Sequence, residues 1–199
     1  MTVPGAVIVA AGAGRRLGGV AKALLPTGGP GAPTFLAAIL ATARAVGLGE
    51  AVVVVGPPFG DAVARHAEAL GAAVVVNPAP ERGMASSIAL GFAALADGAH
   101  AAAWLWPVDH PWVAAATLHR LLADAQASDA AWIQPRYQGA GGHPPLIRRA
   151  LWPALAACGD AADGARGVLR GVAHHAVEVD DPGVVRDLDT WEAWPQVAR

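Results

Sequence analysis

A single cysteine, Cys158, serves 199 residues, so no internal disulfide framework can hold this chain together. A lone cysteine of this kind reads as a small buried hydrophobe. Charge is also scarce. Charged residues make up 15% of the chain against 54% hydrophobic, and the net charge is −2. That balance excludes a global basic field of the kind that attracts nucleic acid. No basic segment precedes the first apolar run, and no apolar stretch is long enough to span a bilayer. The expectation is therefore a soluble cytoplasmic protein with neither nucleic acid nor membrane as partner. No cluster of Cys and His has zinc-ligand spacing, and no serine sits in a G-x-S-x-G elbow. His174 and His175 are adjacent, so in a strand their rings face opposite ways. Internal repeats and domain linkers are absent too, which leaves one α/β domain over 1–199.

What the chain does have is alternation. Short apolar runs at Ala6–Ala10, Ala51–Val55, Ala73–Val76, Ala101–Trp106 and Ala130–Gln134 read as strands. The alanine-rich segments Thr34–Val46, Asp61–Leu70, Ala85–Leu95 and Val113–Asp124 between them read as helices. Nearly continuous apolar strands in a βαβα order fit a mostly parallel sheet covered on both faces. Trp104 and Trp106 share a strand face and read as core. Thr27–Pro33, rich in Gly and Pro, reads as a mobile loop. After Gln134 the pattern loosens. Tyr137–Pro145 reads as a loop near the site, Arg148–Ala157 as a helix, and Asp160–Gly171 as a loop with a short helix. His174–Val179 and Val184–Leu188 read as strands, and Thr190–Val197 as a closing helix with Thr190 as its N-cap.

Ligands of such sheets bind outside the carboxyl ends of the strands. There the first strand feeds Gly12-Ala13-Gly14-Arg15-Arg16-Leu17-Gly18-Gly19-Val20-Ala21-Lys22. Glycines let backbone N–H groups approach a bulky anion, and Arg15, Arg16 and Lys22 supply charge for phosphate. A P-loop fits no register, because Val20 stands where its lysine belongs when Gly14 opens the motif. The dinucleotide fingerprint lacks its third glycine at Leu17, and its ribose-binding acid after Val55.

The loop Ala10-Ala11-Gly12-x-x-x-Arg16-Leu17-Gly18, followed by Lys22, resembles the signature of the MobA-like NTP transferases. Further motifs extend the resemblance over most of the chain. Asp109-His110-Pro111, after an apolar strand, is similar to the family's Asp-x-Pro. The stretch from Asn77-Pro78 through Gly83-Met84 to Ser86-Ser87 resembles the MocA-type cytidylyltransferase branch, as does Gly142-His143-Pro144. Arg186-Asp187-Leu188-Asp189-Thr190 resembles the family's acidic C-terminal motif.

The resemblance implies a Rossmann-like three-layer α/β/α fold with a mostly parallel sheet, of the nucleotide-diphospho-sugar-transferase type. It implies an NTP-binding half over about 1–112 and an acceptor half over about 113–199. It implies transfer of a nucleotide from an NTP to a phosphate-bearing acceptor, with release of pyrophosphate. Arg16, Lys22 and Asp109 are then the catalytic residues. Ala10, Ala11, Gly12, Gly14, Arg15, Asn77, Ser86 and Ser87 join Arg16 and Lys22 around the nucleotide, and Gly142, His143 and Arg166 line the acceptor site. The cofactor is Mg²⁺, on Asp109 with Asp189 or Asp187, since carboxylates at a strand tip suit a hard cation. CTP is favoured and GTP stays open. The acceptor is the molybdopterin cofactor or, alternatively, a sugar or alcohol phosphate, and a molybdoenzyme or its chaperone stands as a candidate recipient. Blander roles stay open for Ser86 and Ser87 as helix caps and for Asp109 as a turn former. The chain departs from the family pattern at Gly14, where many relatives carry Ser, and at Trp191, where they carry Pro. It also departs between Gly159 and Arg166, where it has extra residues.

Overall fold

A computed structural model describes residues 3–191. Strand β1 (Gly5–Val9) is buried along its whole length. The chain then alternates through α1 (Phe35–Ala45), β2 (Ala51–Val55), α2 (Gly60–Ala69), β3 (Ala73–Val76), α3 (Met84–Leu95), β4 (Ala102–Pro107) and α4 (Ala115–Ala127), close to the expected boundaries. Helix α1 starts at Thr34, whose Oγ1 accepts the Ala37 N–H at 3.1 Å, as an N-cap should. The glycine- and proline-rich loop before it is closed at its base, where Thr27 N–H donates to the Pro33 carbonyl at 2.9 Å. β1 lies between β2 and β4, parallel to both, with Ile8 opposite Val53 and Trp106. β3 extends the parallel set beyond β2.

Alternation along these strands supplies two cores, one on each face of the sheet. Ala6, Ile8, Val53, Trp104 and Trp106 pack against α1, α2 and α4, through residues such as Phe35, Leu36, Ala67 and Leu121. Val7, Val9, Val52, Val54 and Leu105 pack against α3, through Ile88, Phe92 and Leu95, and against Trp152 and Leu155. The strands are apolar on both faces because both faces are covered. The result is a three-layer α/β/α domain, and both tryptophans are core as expected.

The second half departs from expectation in two places. Leu146–Arg148 forms strand β7, which was not expected and which takes Arg148 from the start of the expected helix Arg148–Ala157. It slots antiparallel between β4 and β5 (Trp132–Tyr137), and Leu146 and Ile147 bury themselves there. Helix α5 (Trp152–Ala156) begins only afterwards, with Pro153 in its first turn, where proline is tolerated. The second departure is Val184–Leu188, which is not a strand. Pro182–Val184 makes a short 3-10 turn, capped by the Asp181 carboxylate on Gly183 N–H at 2.9 Å. The chain beyond it bonds to loops instead of a ladder: Val184 accepts from His143 N–H at 2.7 Å, and Leu188 N–H donates to the Asp109 carbonyl at 3.2 Å. The remaining elements are the short β6 (Ala140–Gly141), paired with β5, then α6 (Gly164–Arg170), and β8 (His174–Glu178), which pairs in parallel with β5. Most of the expected closing helix, Thr190–Val197, lies outside the described residues. Among those residues no helix is long and apolar enough to cross a membrane.

Candidate functional site

The parallel pairing of β1 and β4 sets their carboxyl ends side by side, and Val108 N–H donates to the Val9 carbonyl at 3.1 Å just beyond them. The glycine loop and Asp109 therefore emerge next to each other. The loop turns at Gly14, which is left-handed at φ 57°. Its carbonyl accepts the N–H groups of Leu17 and Gly19 at 2.9 and 3.0 Å. A Cβ at Gly14 would stand 2.2 Å from the Val20 carbonyl oxygen, so this loop has no room for a side chain at that position. The turn buries Leu17 and points Arg15 and Arg16 outward.

Three separate motifs then meet. Lys22 Nζ donates to Asp109 Oδ2 at 3.0 Å and to Asp189 Oδ1 at 3.1 Å. Arg16 donates to Asp189 Oδ2. The hydrogen bond from Lys22 is the main reason that the Asp189 carboxyl titrates below the usual carboxylate range. A cavity of about 310 Å³ opens above this network, against Ala11, Gly12, Gly14 and Arg15. Ala10 is a core residue and does not line this cavity. Arg15 lies on the rim shared with a neighbouring cavity of about 460 Å³, bounded by Pro57, Pro58, Pro80 and Glu81. Asp187 is exposed and takes no part in the Lys22 network; its charge acts on His110. Among the described residues, no group of three or more His, Cys, Asp and Glu side chains could hold a metal ion. The protein offers two convergent carboxylates, and these suit a hard cation that takes its other ligands from phosphate and water.

Asn77 is a buried pin. Its amide nitrogen donates to Ser86 Oγ at 2.8 Å and Ser87 Oγ at 2.9 Å, and its carbonyl accepts from Ala79 N–H at 3.0 Å. Ser86 Oγ donates to the Gly83 carbonyl at 2.8 Å. Neither serine caps α3, whose N-cap is Gly83. Ser87 reaches the wall of the first cavity, together with Met84. Met84 also borders a third cavity of about 590 Å³, whose polar lining includes Arg82, Asp160 and Arg166. There Arg82 is paired with Asp160, while Arg166 is exposed.

His143 does not line that third cavity. Its ring lies on His110, with centroids 4.9 Å apart. Burial pushes His143 down to about 4, with the neighbouring His110 adding to the effect, and burial lowers His110 as well. Both rings are thus neutral at pH 7, and the Nδ1 of each is buried without a hydrogen-bond partner. Gly142 is set by packing, because a Cβ there would meet Val184 at under 3 Å.

Two supports of the site carry no motif. Buried Asp181 accepts from Thr117 Oγ1 at 2.6 Å, from Ala114 N–H at 2.9 Å and from Gly183 N–H at 2.9 Å. It ties the segment leading to Asp189 onto the start of α4. Trp191 Nε1 donates to the Leu17 carbonyl at 3.1 Å, clipping the Asp189 segment to the Arg16 turn. A tryptophan where relatives carry proline was the one visible signal for this clip. Asp181 looked like any aspartate before a Pro-Gly turn.

The model of the MobA-like NTP transferase domain family matches residues 6–179. Nicotine blue oxidoreductase of Paenarthrobacter nicotinovorans is 34% identical over 194 residues, covering 94% of this chain and 92% of that protein. The crystal structure of Rv0371c from Mycobacterium tuberculosis H37Rv is 28% identical with a TM-score of 0.78, covering 97% of this chain and 96% of that one. The same mycobacterial protein, solved as a complex with manganese, is 28% identical with a TM-score of 0.73, covering 98% of each chain. A nucleotidyl transferase from Methanothermobacter, 21% identical with a TM-score of 0.76 over 98% of this chain and 95% of that one, shares the fold. The architecture is thus that of the nucleotide-diphospho-sugar transferases, as the sequence motifs imply.

Proposed function

Since this chain belongs to the MobA-like NTP transferase family, a family of nucleotidyltransferases, we propose that it is a Mg²⁺-dependent enzyme that moves a nucleotide, CMP ahead of GMP, from an NTP to the phosphate of the molybdopterin cofactor. Pyrophosphate leaves, and the acceptor phosphate attacks the α-phosphorus. The observation that carries this reading is the contact of Lys22 Nζ with both Asp109 and Asp189 beneath the glycine loop. Cations for a triphosphate and carboxylates for a metal share one cavity wall. Bound Mg²⁺ would supply charge neutralisation on the phosphates, and Asp109 and Asp189 are the residues that would hold it. Arg16 and Lys22 hold the β- and γ-phosphates and stabilise charge on the departing pyrophosphate. The backbone of Ala11, Gly12 and Gly14 wraps the phosphates, and Arg15 closes the rim. Asn77, through Ser86 and Ser87, fixes the α3 end that borders the nucleotide.

The third cavity, with Arg82 and Arg166, takes the acceptor and its phosphate. Met84 stands between the two substrates. His143, whose ring lies on His110 beside Asp109, and Gly142 meet the acceptor from the Asp109 side. The two halves of the chain meet at the phosphates, because Asp189 comes from the acceptor half. An NTP substrate suits a cytoplasmic enzyme, and a molybdoenzyme or its chaperone would receive the product.

The test is pyrophosphate release from CTP and from GTP, each with reduced molybdopterin cofactor, sugar phosphates or alcohol phosphates as acceptor. Release with CTP and the molybdopterin cofactor is expected. Release only with a sugar or alcohol phosphate would move the enzyme to that alternative branch. In the productive pair, Asp109→Asn should lower turnover about 100-fold with the fold intact, the cost of one lost electrostatic partner. A turnover within twofold of wild type would refute the role of Asp109. A second reading is favoured by the 34% identity to nicotine blue oxidoreductase. The same cradle would then hold the diphosphate of a nicotinamide cofactor, and oxidation of that cofactor with nicotine blue as acceptor, absent pyrophosphate release, would establish that instead.

A further inference from the structure

The charges of the site satisfy one another. Asp189 has one oxygen on Lys22 and the other bonded to Arg16, and Asp109 has its Oδ2 on Lys22. The Lys22 side chain is only 15% exposed and that of Asp109 only 21%, so the contact is largely shielded from solvent. The ammonium of Lys22 occupies the point on which both carboxylates converge. A divalent cation held by the same oxygens would sit within a few ångströms of that ammonium, where like charges repel strongly in a partly buried setting. Lysine and metal therefore exclude each other at this point. Lys22 lines the cavity together with Arg16 and Gly12, so a phosphate entering there would offer its ammonium a second partner. Lysine is suited to such an exchange, being a compact point charge on a flexible stem.

We propose that Lys22 is a surrogate cation that bars the metal from Asp109 and Asp189 until a triphosphate draws it away, so that metal and nucleotide load together. This inference rests on the nucleotidyl-transfer reading of the site, and it adds an order of events to it. The coupling is reciprocal, as any thermodynamic linkage must be. Nucleotide tightens metal binding by releasing two carboxylates, and metal tightens nucleotide binding by sending Lys22 onto the phosphates. A free metal ion alone gains little from the site. Arg16 follows the same path from Asp189 to phosphate, but it is largely exposed and contributes less to the exclusion.

Mn²⁺ binding followed by electron paramagnetic resonance, without acceptor and without turnover, tests this. Wild-type protein should bind Mn²⁺ weakly alone and about 10- to 100-fold more tightly with CTP or GTP, after correction for Mn²⁺ bound to nucleotide in buffer. Lys22→Gln should bind Mn²⁺ alone about 10- to 100-fold more tightly than wild type, and its coupling to nucleotide should be smaller than wild type's by the same factor, leaving the part that comes from direct ligation of Mn²⁺ by phosphate. Lys22→Arg, which keeps the charge, should still exclude the metal. Equal Mn²⁺ affinity in wild type and Lys22→Gln, with nucleotide and metal both bound at the site, would overturn the exchange and leave the nucleotidyl-transfer reading standing. No binding of Mn²⁺ by wild type even with either nucleotide would overturn both. Should Lys22→Gln fail to fold, the wild-type comparison decides: metal affinity unaltered by nucleotide sinks the proposal.

Discussion

Lowering the pH should destabilise this protein well before its carboxylates begin to titrate, and His143 is the main cause. Burial pushes its imidazole down to about 4 from an ordinary 6.5. In the unfolded chain the same ring takes a proton near 6.5, so between these values the unfolded state binds more protons and stability falls as pH falls. The contribution is fully present above about pH 7. It shrinks by about 2 kcal/mol at pH 5 and by about 3 kcal/mol near pH 4, where it levels off, because each pH unit between the unfolded and folded values is worth about 1.4 kcal/mol. His110, also lowered by burial although Asp109 and Asp187 pull it upward, adds to the loss with the same sign. Asp189 and Asp124 are shifted down. Their contributions are present above the unfolded carboxylate value and disappear only as pH drops through their lower folded values, outside this window. Against a total stability on the order of 10 kcal/mol, a loss of 2 kcal/mol is readily measured. Urea unfolding at pH 7.5, 6, 5 and 4.5 gives the curve. His143→Phe keeps a ring against His110 but cannot take the proton, so its stability should fall less steeply over the same range. Parallel curves for wild type and His143→Phe would refute the assignment.

Other substitutions separate chemistry from support. Arg16→Ala should change stability by less than about 0.5 kcal/mol, since its ion pair is exposed, yet lower turnover about 100-fold; chemical denaturation beside a pyrophosphate assay checks both. Asp181→Ala strips partners from two N–H groups and a buried hydroxyl, and should cost about 3 kcal/mol, seen as a lower urea midpoint. Trp191→Phe removes the bond to the Leu17 carbonyl and should reduce activity several-fold with a change of about 1 kcal/mol or less in stability. Gly14→Ser, forced to φ 57° with its Cβ on the Val20 carbonyl, should weaken nucleotide binding more than it alters the urea midpoint, read by titration calorimetry with CTP and GTP.

The parallel half of the fold was legible because its information is local. Runs such as Val52–Val55 are apolar at every position, which only a strand covered on both faces requires, and the intervening helices have ordinary lengths and a recognisable cap at Thr34. The second half depends on long-range partners. Leu146 and Ile147 follow two prolines and precede a helix, and nothing within that window says that β4 and β5 lie apart, waiting for a strand between them. Val184–Leu188 opens on two β-branched valines as a strand would, but the buried carboxylate of Asp181 claims the backbone at its start, and the next donors and acceptors go to loops. Glycine spacing and strand-end position single out Arg16, Lys22 and Asp109, whereas Asp189 was visible only through the resemblance of its motif; the structure brings the four side chains together. The site was opaque at His143, whose neighbour His110 is 33 positions away in sequence and whose ring the structure lays against that of His110.

Those two histidines also explain how the acidic side of the site stays acidic. Asp109 is held between opposite influences: Lys22 at 3.0 Å on one oxygen and the His110 ring 4.0 Å from the other. A charged imidazole there would be a second permanent cation on the carboxylate that is to bind metal, and once Lys22 had left, it would remain. Burial against His143 keeps His110 neutral, so the only cation that Asp109 has to give up is the mobile one. On the proposed reading, a fixed but uncharged ring behind the carboxylate and a charged but flexible chain in front of it would let the charges of Arg16, Lys22, Asp109 and Asp189 cancel at first and then free two carboxylates as metal and nucleotide arrive together.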